Sequence, residues 1–145
     1  MILFSMGRYQ EAIQEYHQAL RLDPANPAIH FNLASVFSRA GNADQAIREY
    51  RAALQLKPDY LEASNNLGAF LGELGKADEA IAEYRSALQF RPDSPELHYN
   101  LAIELAGQGK SDEAIYHLQQ ALKVKPDYTA ARIWLGKMLA KGQTR

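Results

Sequence analysis

Four histidines, His17, His30, His98 and His117, are the only side chains of this 145-residue chain that could do imidazole chemistry. None falls into a His-x-x-x-His or Glu-x-x-His pair, the spacings that place two metal ligands on one helix face. His30 and His98 occupy the same phase of a repeating pattern, two repeats apart, too distant to share an ion. They are expected to be packing residues, and no metal site is expected. The adjacent carboxylates Asp78-Glu79 and Asp112-Glu113 resemble acid–base pairs in composition. Their recurrence where helices should start points to complementation of the helix dipole instead. There is no Gly-x-x-x-x-Gly-Lys phosphate loop and no Gly-x-Ser-x-Gly elbow. The absence of cysteine removes disulfides, thiolate zinc sites, iron–sulfur clusters and thiol nucleophiles. The expectation is a protein that is not an enzyme and carries no cofactor.

Charge narrows the partners. Sixteen Lys+Arg against 17 Asp+Glu leave a formal net charge of −1, which gives no field for gripping phosphates, so nucleic acid is not an expected partner. The apolar start Met1-Ile2-Leu3-Phe4 is too short for the core of a secretion signal, and no apolar run approaches bilayer length. Membrane insertion is therefore not expected, and a cytoplasmic location is. At 47% hydrophobic and 23% charged the chain has the composition of a folded protein.

The elements that must position any functional residue are set by a repeat. Proline recurs at Pro24, Pro58, Pro92 and Pro126, a constant step of 34 residues. Glycine keeps that step at Gly7, Gly41, Gly75 and Gly109, and so does the Ala-Ile pair beginning at Ala12, Ala46, Ala80 and Ala114. Each period reads as two helices. Leu67, Phe70, Leu71 and Leu74 follow helical spacing up to Gly75, a residue suited to the left-handed conformation that ends helices. The next stripe, Ala80, Ile81, Tyr84, Ala87 and Leu88, runs from the acidic start at Asp78 to Arg91-Pro92, where proline stops it. The pattern predicts helices near 9–22, 27–40, 43–56, 61–74, 77–90, 95–108, 111–124 and 129–141. Small residues such as Ala46 and Ala80 should sit where helices cross closely, with Phe37, Tyr50, Leu71 and Tyr84 filling the space between neighbours. One hairpin cannot bury both of its apolar faces, so such repeats depend on stacking.

With Leu67-Gly68, Gly75, Ala80, Tyr84, Ala87 and Pro92 set in a 34-residue period, the chain resembles the tetratricopeptide repeat family along essentially its whole length. The resemblance implies an all-α solenoid of antiparallel helix pairs forming a right-handed superhelix. It divides a single 1–145 domain into a partial repeat at 1–26, full repeats at 27–60, 61–94 and 95–128, and a closing partial repeat at 129–145. Departures are mild: the family's frequent Trp is His30, Ser64, His98 and Arg132 here, and its Gly after Leu is Ala34 and Ala102 in two repeats.

In this family the first helix of each pair lines the concave groove. Asn32, Asn66 and Asn100 hold one phase of that wall, with Trp134 in the fourth register. An asparagine side chain offers both a donor and an acceptor, so it can hold the C=O and N–H of a peptide backbone without reading its side chains. The same residue can equally bond to a neighbouring helix or to water. The three asparagines resemble the ladder in the repeat arm of O-linked N-acetylglucosamine transferases, which holds substrate chains extended. Phe31, Arg39, Asn65, Tyr99 and Ile103 fall on the same wall, and Phe31, Tyr99 and Trp134 are aromatic residues of the kind that anchor partners. The carboxylate clamp of chaperone-binding relatives is not expected, because its basic positions around Asn66 are Phe31, Ser35, Glu96 and Asn100. Base reading, as in related helical-hairpin repeats, would need a basic groove, and this one is near neutral.

The expected function is a non-catalytic scaffold that binds an extended peptide or protein segment. The alternatives are the substrate-recognition arm of a larger enzyme such as a glycosyltransferase, and a self-assembling scaffold. For the last, the first repeat starts at its second half, so Ile13 and Tyr16 would lack a covering helix. A homodimer through this N-terminal end, with Leu3, Phe4 and Ile13 in contact, is expected.

Overall fold

A computed structural model of the chain describes the backbone of residues 2–143 and the side chains of residues 6–142. The described residues form helices and turns only: α1 (Ile2–Leu22), α2 (Pro27–Arg39), α3 (Ala43–Leu56), α4 (Leu61–Glu73), α5 (Ala77–Phe90), α6 (Pro95–Gly107), α7 (Ser111–Val124) and α8 (Thr129–Gln143).

Two kinds of turn alternate, and each follows from its residues. After α2, α4 and α6 the chain turns on Gly41, Gly75 and Gly109, whose φ values of 82°, 77° and 75° lie in the left-handed region that only glycine enters freely. Around Gly41 the amide of Asn42 donates to Phe37 O at 2.9 Å and that of Gly41 to Ser38 O at 3.3 Å. These are the two crossed bonds of the Schellman stop, which satisfy carbonyls the helix end would otherwise leave open. After α3, α5 and α7 a residue before proline (Lys57, Arg91 or Lys125) leaves the helix with φ between −138° and −128°. Proline's ring disfavours a helical predecessor, and the ring itself cannot continue the helix. The chain then restarts quickly: Asn26 accepts from the Ala28 amide and Ser94 from the Leu97 amide, with Pro27 and Pro95 in the first helical position. Asp78, Glu79, Asp112 and Glu113 lie in the first turns of α5 and α7, as dipole complementation requires.

One expectation is corrected. Gly7 shares the register of the three turn glycines, yet α1 runs through it without a break, from Ile2 to Leu22. Gly7 is not among the glycines with positive φ, so the hydrogen bonds of one continuous helix carry through it.

By internal packing the chain divides into two units, Met1–Leu67 and Gly68–Arg145. In the first, α2 packs against α1 and α3. Its core holds Ile13, Leu33, Ala34, Phe37, Ala46, Ile47, Tyr50 and Ala53. In the second, α6 packs against α5 and α7, and α7 against α8. There Tyr84, Leu97, Leu101, Leu105 and Leu118 are fully buried large side chains, interleaved with Ala80, Ala102, Ala114, Ala121 and Ala131. The alternation of large residues with alanine is what lets helices approach and interdigitate at interior packing density.

Candidate peptide-binding surface

The expected groove residues lie on α2, α4, α6 and α8, and each unit carries its own share. In the first unit Asn32, Asn66 and Arg39 are exposed, and Asn65 and Phe31 are half-buried. Phe31 rests on Tyr60 and Tyr50, with ring centroids 5.2 and 6.0 Å away. Lys57 lies 5.0 Å above the Tyr60 ring, so this aromatic cluster is also a cation–π site. Beside it, Ser35 donates to Phe31 O at 3.0 Å and bonds the Tyr50 hydroxyl at 3.2 Å. Burial, and secondarily the charge of Glu62, keep the Tyr60 phenol above its ordinary pKa.

The second unit repeats the arrangement one step richer. Tyr99, Asn100 and Ile103 are half-buried on one side of α6. Tyr99 packs on Tyr128 at 5.1 Å, and Lys125 caps that ring at 4.9 Å, matching Phe31, Tyr60 and Lys57 position for position. Two hollows open here. One, about 370 Å³, is bounded by Ile103, Ala106, Trp134, Met138 and Lys141 and is mainly apolar. The other, about 390 Å³, is bounded by Ala69, Gly72, Tyr84, Tyr99, Asn100, Ile103 and Glu104. Ile103 separates the two. Ile103 and Trp134 border the first hollow and Tyr99, Asn100 and Ile103 the second, whereas Asn32 and Asn66 belong to the other unit. Lys137 sits 5.8 Å from the Trp134 ring.

Two features of this surface escape a motif search. The first is Glu104, whose carboxyl is held above its ordinary pKa by burial. Its charge and burial together push the Tyr84 phenol well up, so that hydroxyl stays protonated. Both side chains occupy space that α4 leaves open at Gly68 and Gly72. A methyl group added at Gly68 would overlap the Tyr84 ring, and one at Gly72 the Glu104 carboxylate. The second is a histidine pair. His98 Nδ1 lies 2.9 Å from His117 Nδ1, and the His98 Nε2–H donates to Pro92 O at 2.8 Å. In the first unit His30 takes the same place: its Nδ1 lies 2.6 Å from the Glu49 carboxylate and its Nε2 3.2 Å from Pro24 O. Both histidines thereby tie a first helix to the second helix of its pair and to the preceding turn, which is the packing role expected of them. His117 is kept neutral, its pKa lowered to about 4 by burial, then by His98 and Arg85, against an opposing pull from Glu113. Among the described residues no group of three or more His, Asp or Glu side chains is placed to hold a metal ion.

Ile13 is buried within its own chain at 9% exposure, so it has little surface left for a second copy. The side chains of Leu3 and Phe4 lie outside the described residues. No described helix is long and apolar enough to cross a membrane.

Known proteins agree with this architecture. The solved structure of MamA superposes with a TM-score of 0.80 at 23% identity, covering 94% of this chain and 80% of that one. MamA 41-end from Desulfovibrio magneticus RS-1 gives 0.77 at 20% identity, covering 94% and 77%. PilF of Pseudomonas aeruginosa gives 0.80 at 24% identity, covering 99% and 68%. At these identities the likeness establishes the fold alone. No curated protein sequence matches the chain. The TPR repeat model matches residues 2–41, 37–75 and 71–109, and the tetratricopeptide repeat model matches residues 95–128. With the helix pairs, the glycine and proline turns and these matches in agreement over residues 2–128, the chain belongs to the tetratricopeptide repeat family and has its all-α solenoid fold.

Proposed function

We propose that this chain is a non-catalytic protein-interaction scaffold that holds an extended segment of a partner along the faces of its first-type helices. The observation that carries the reading is the surface of α6 and α8. There Asn100, Ile103 and Trp134 stand beside two open hollows, with hydrogen-bonding and apolar groups alternating along it. A mixture of a few polar groups with aromatic and aliphatic anchors is what orients a bound chain and supplies its affinity. Asn32 and Asn66 extend the same chemistry in the first unit. The asparagines fix the backbone and the hollows take side chains.

A library of random dodecapeptides displayed on phage and selected on the purified protein tests this. Selected peptides should lose about tenfold or more in affinity to an Asn32, Asn66, Asn100 triple Ala variant, and likewise to Trp134→Ala. Circular dichroism of both variants should match the wild type. Peptides that ignore all four substitutions, or a library that yields none, would remove the groove from the reading.

A further inference from the structure

The column of residues that includes Glu104 is apolar elsewhere. At the 34-residue step it reads Val36, Phe70, Glu104 and Met138. Val36 and Phe70 are half-buried and Met138 is buried. A carboxylate in that column loses part of its hydration, and such a group is normally repaid by a cation or by hydrogen bonds. No cationic side chain among the described residues offsets it: desolvation alone accounts for its raised pKa. Yet the surroundings are cut to admit it. The position facing its carboxylate is Gly72, where the other repeats have Ser38, Ala106 and Ala140. A side chain at that point would fill the place the carboxylate occupies. The carboxylate borders an open hollow of about 390 Å³ together with Tyr99, Asn100 and the protonated hydroxyl-bearing ring of Tyr84, and Glu73 stands on its rim.

We propose that this hollow is the receptor for a basic side chain, the guanidinium of an arginine or the ammonium of a lysine carried by the bound segment. The proposal rests on the groove reading above and specifies the partner's chemistry. A guanidinium brings paired N–H donors to Glu104 in the geometry carboxylates bind best. Aromatic rings on the wall favour a cation over a neutral amide. An acidic side chain would meet Glu104 and Glu73 and be repelled. A metal ion finds Glu104 and Glu73 here but no third His, Asp or Glu, since no group of three or more is so placed among the described residues. Burial of the cation restores to Glu104 the charge partner it lacks.

The test uses the isotopically labelled full chain and three probes: N-acetyl-arginine amide, N-acetyl-lysine amide and the uncharged N-acetyl-norleucine amide. The two basic amides should shift the resonances of Gly72, Asn100 and Glu104 saturably at millimolar concentration, and the norleucine amide should not. Glu104→Gln, close in size and shape to the wild type, should lower the apparent affinity about tenfold while leaving the spectrum of the remaining protein unchanged. The Glu104 carboxyl should titrate at lower pH with the arginine amide bound. Equal shifts from the norleucine amide, equal binding by Glu104→Gln, or no shift from either basic amide overturns the receptor. Phage-selected peptides with equal affinity for wild type and Glu104→Gln overturn it too, and leave the groove reading standing. A library without groove binders overturns the groove reading, while the amides report on Glu104 independently.

Discussion

His98 and His117 share one proton between two nitrogens, so their contact has a definite pH dependence. With His117 neutral, the two Nδ1 atoms lie 2.9 Å apart, close enough for one Nδ1–H to donate to the other. A proton added to His117 would face a partly buried site with a second ring against it and Arg85 nearby, opposed by Glu113. The folded state therefore binds that proton less readily than the unfolded chain. A depressed histidine pKa makes its contribution complete above 6.5 and removes it as pH falls toward about 4. With the shift discounted for half-burial, wild type should lose about 1–2 kcal/mol relative to His117→Gln across that window. Urea denaturation of both proteins at several pH values measures it. A difference that stays constant with pH would show that His117 accepts its proton without cost.

At the scale of the helix, seven of the eight elements begin and end within a residue or two of where proline, glycine and apolar spacing put them. Those boundaries are legible because each rests on a backbone constraint that one residue type imposes by itself. α1 is the exception, and it shows the limit of pattern reading. Gly7 carries the turn residue inside a continuous helix, and nothing lies within 4 Å of where its Cβ would be. The two glycines should therefore answer one substitution oppositely. Gly7→Ala should stabilise by about 0.5–1 kcal/mol, since alanine restricts the unfolded chain and favours helix. Gly41→Ala forces a Cβ into φ 82° and should destabilise by about 1 kcal/mol or more. Thermal melts decide this, and a loss of stability in Gly7→Ala would place a turn back at residue 7. The candidate surface was legible in the same uneven way. Asn100, Tyr99 and Ile103 sit where the repeat phase puts them. Glu104 and Gly72 attract no motif, and the histidine pair joins residues 19 apart on different helices. Aligning the chain with itself at the 34-residue step exposes Glu104, because that column contrasts one carboxylate with Val36, Phe70 and Met138. Nothing local marks His98 and His117 as partners, since their contact is created only when α6 and α7 pack.

Across the molecule as a whole, stability should follow the number of neighbours each helix has. Repeat arrays hold together through contacts between adjacent elements, so a helix covered on two sides opens less often than one covered on one side. In the second unit α6 packs against α5 and α7, and α8 packs against α7 and borders an open hollow beside α6. The burial pattern agrees. α6 contributes Leu97, Leu101, Ala102 and Leu105 to the core, all fully buried, while α8 contributes Ala131 and Met138 and leaves Ile133 and Leu139 about half exposed. At about 25 cal/mol per Å² of apolar surface, the lost leucine contacts cost α8 several kcal/mol of local anchoring relative to α6. Amide hydrogen exchange should accordingly be slowest at Leu101 and Leu105 and faster by about tenfold or more at Leu139 and Ala140. A bound partner segment that engages Trp134 would slow exchange in α8 first, because that residue borders the open hollow. Uniform exchange across α5 to α8 would mean that the unit opens only all at once. Protection in α8 that stays the same when a selected peptide binds would place that peptide away from Trp134.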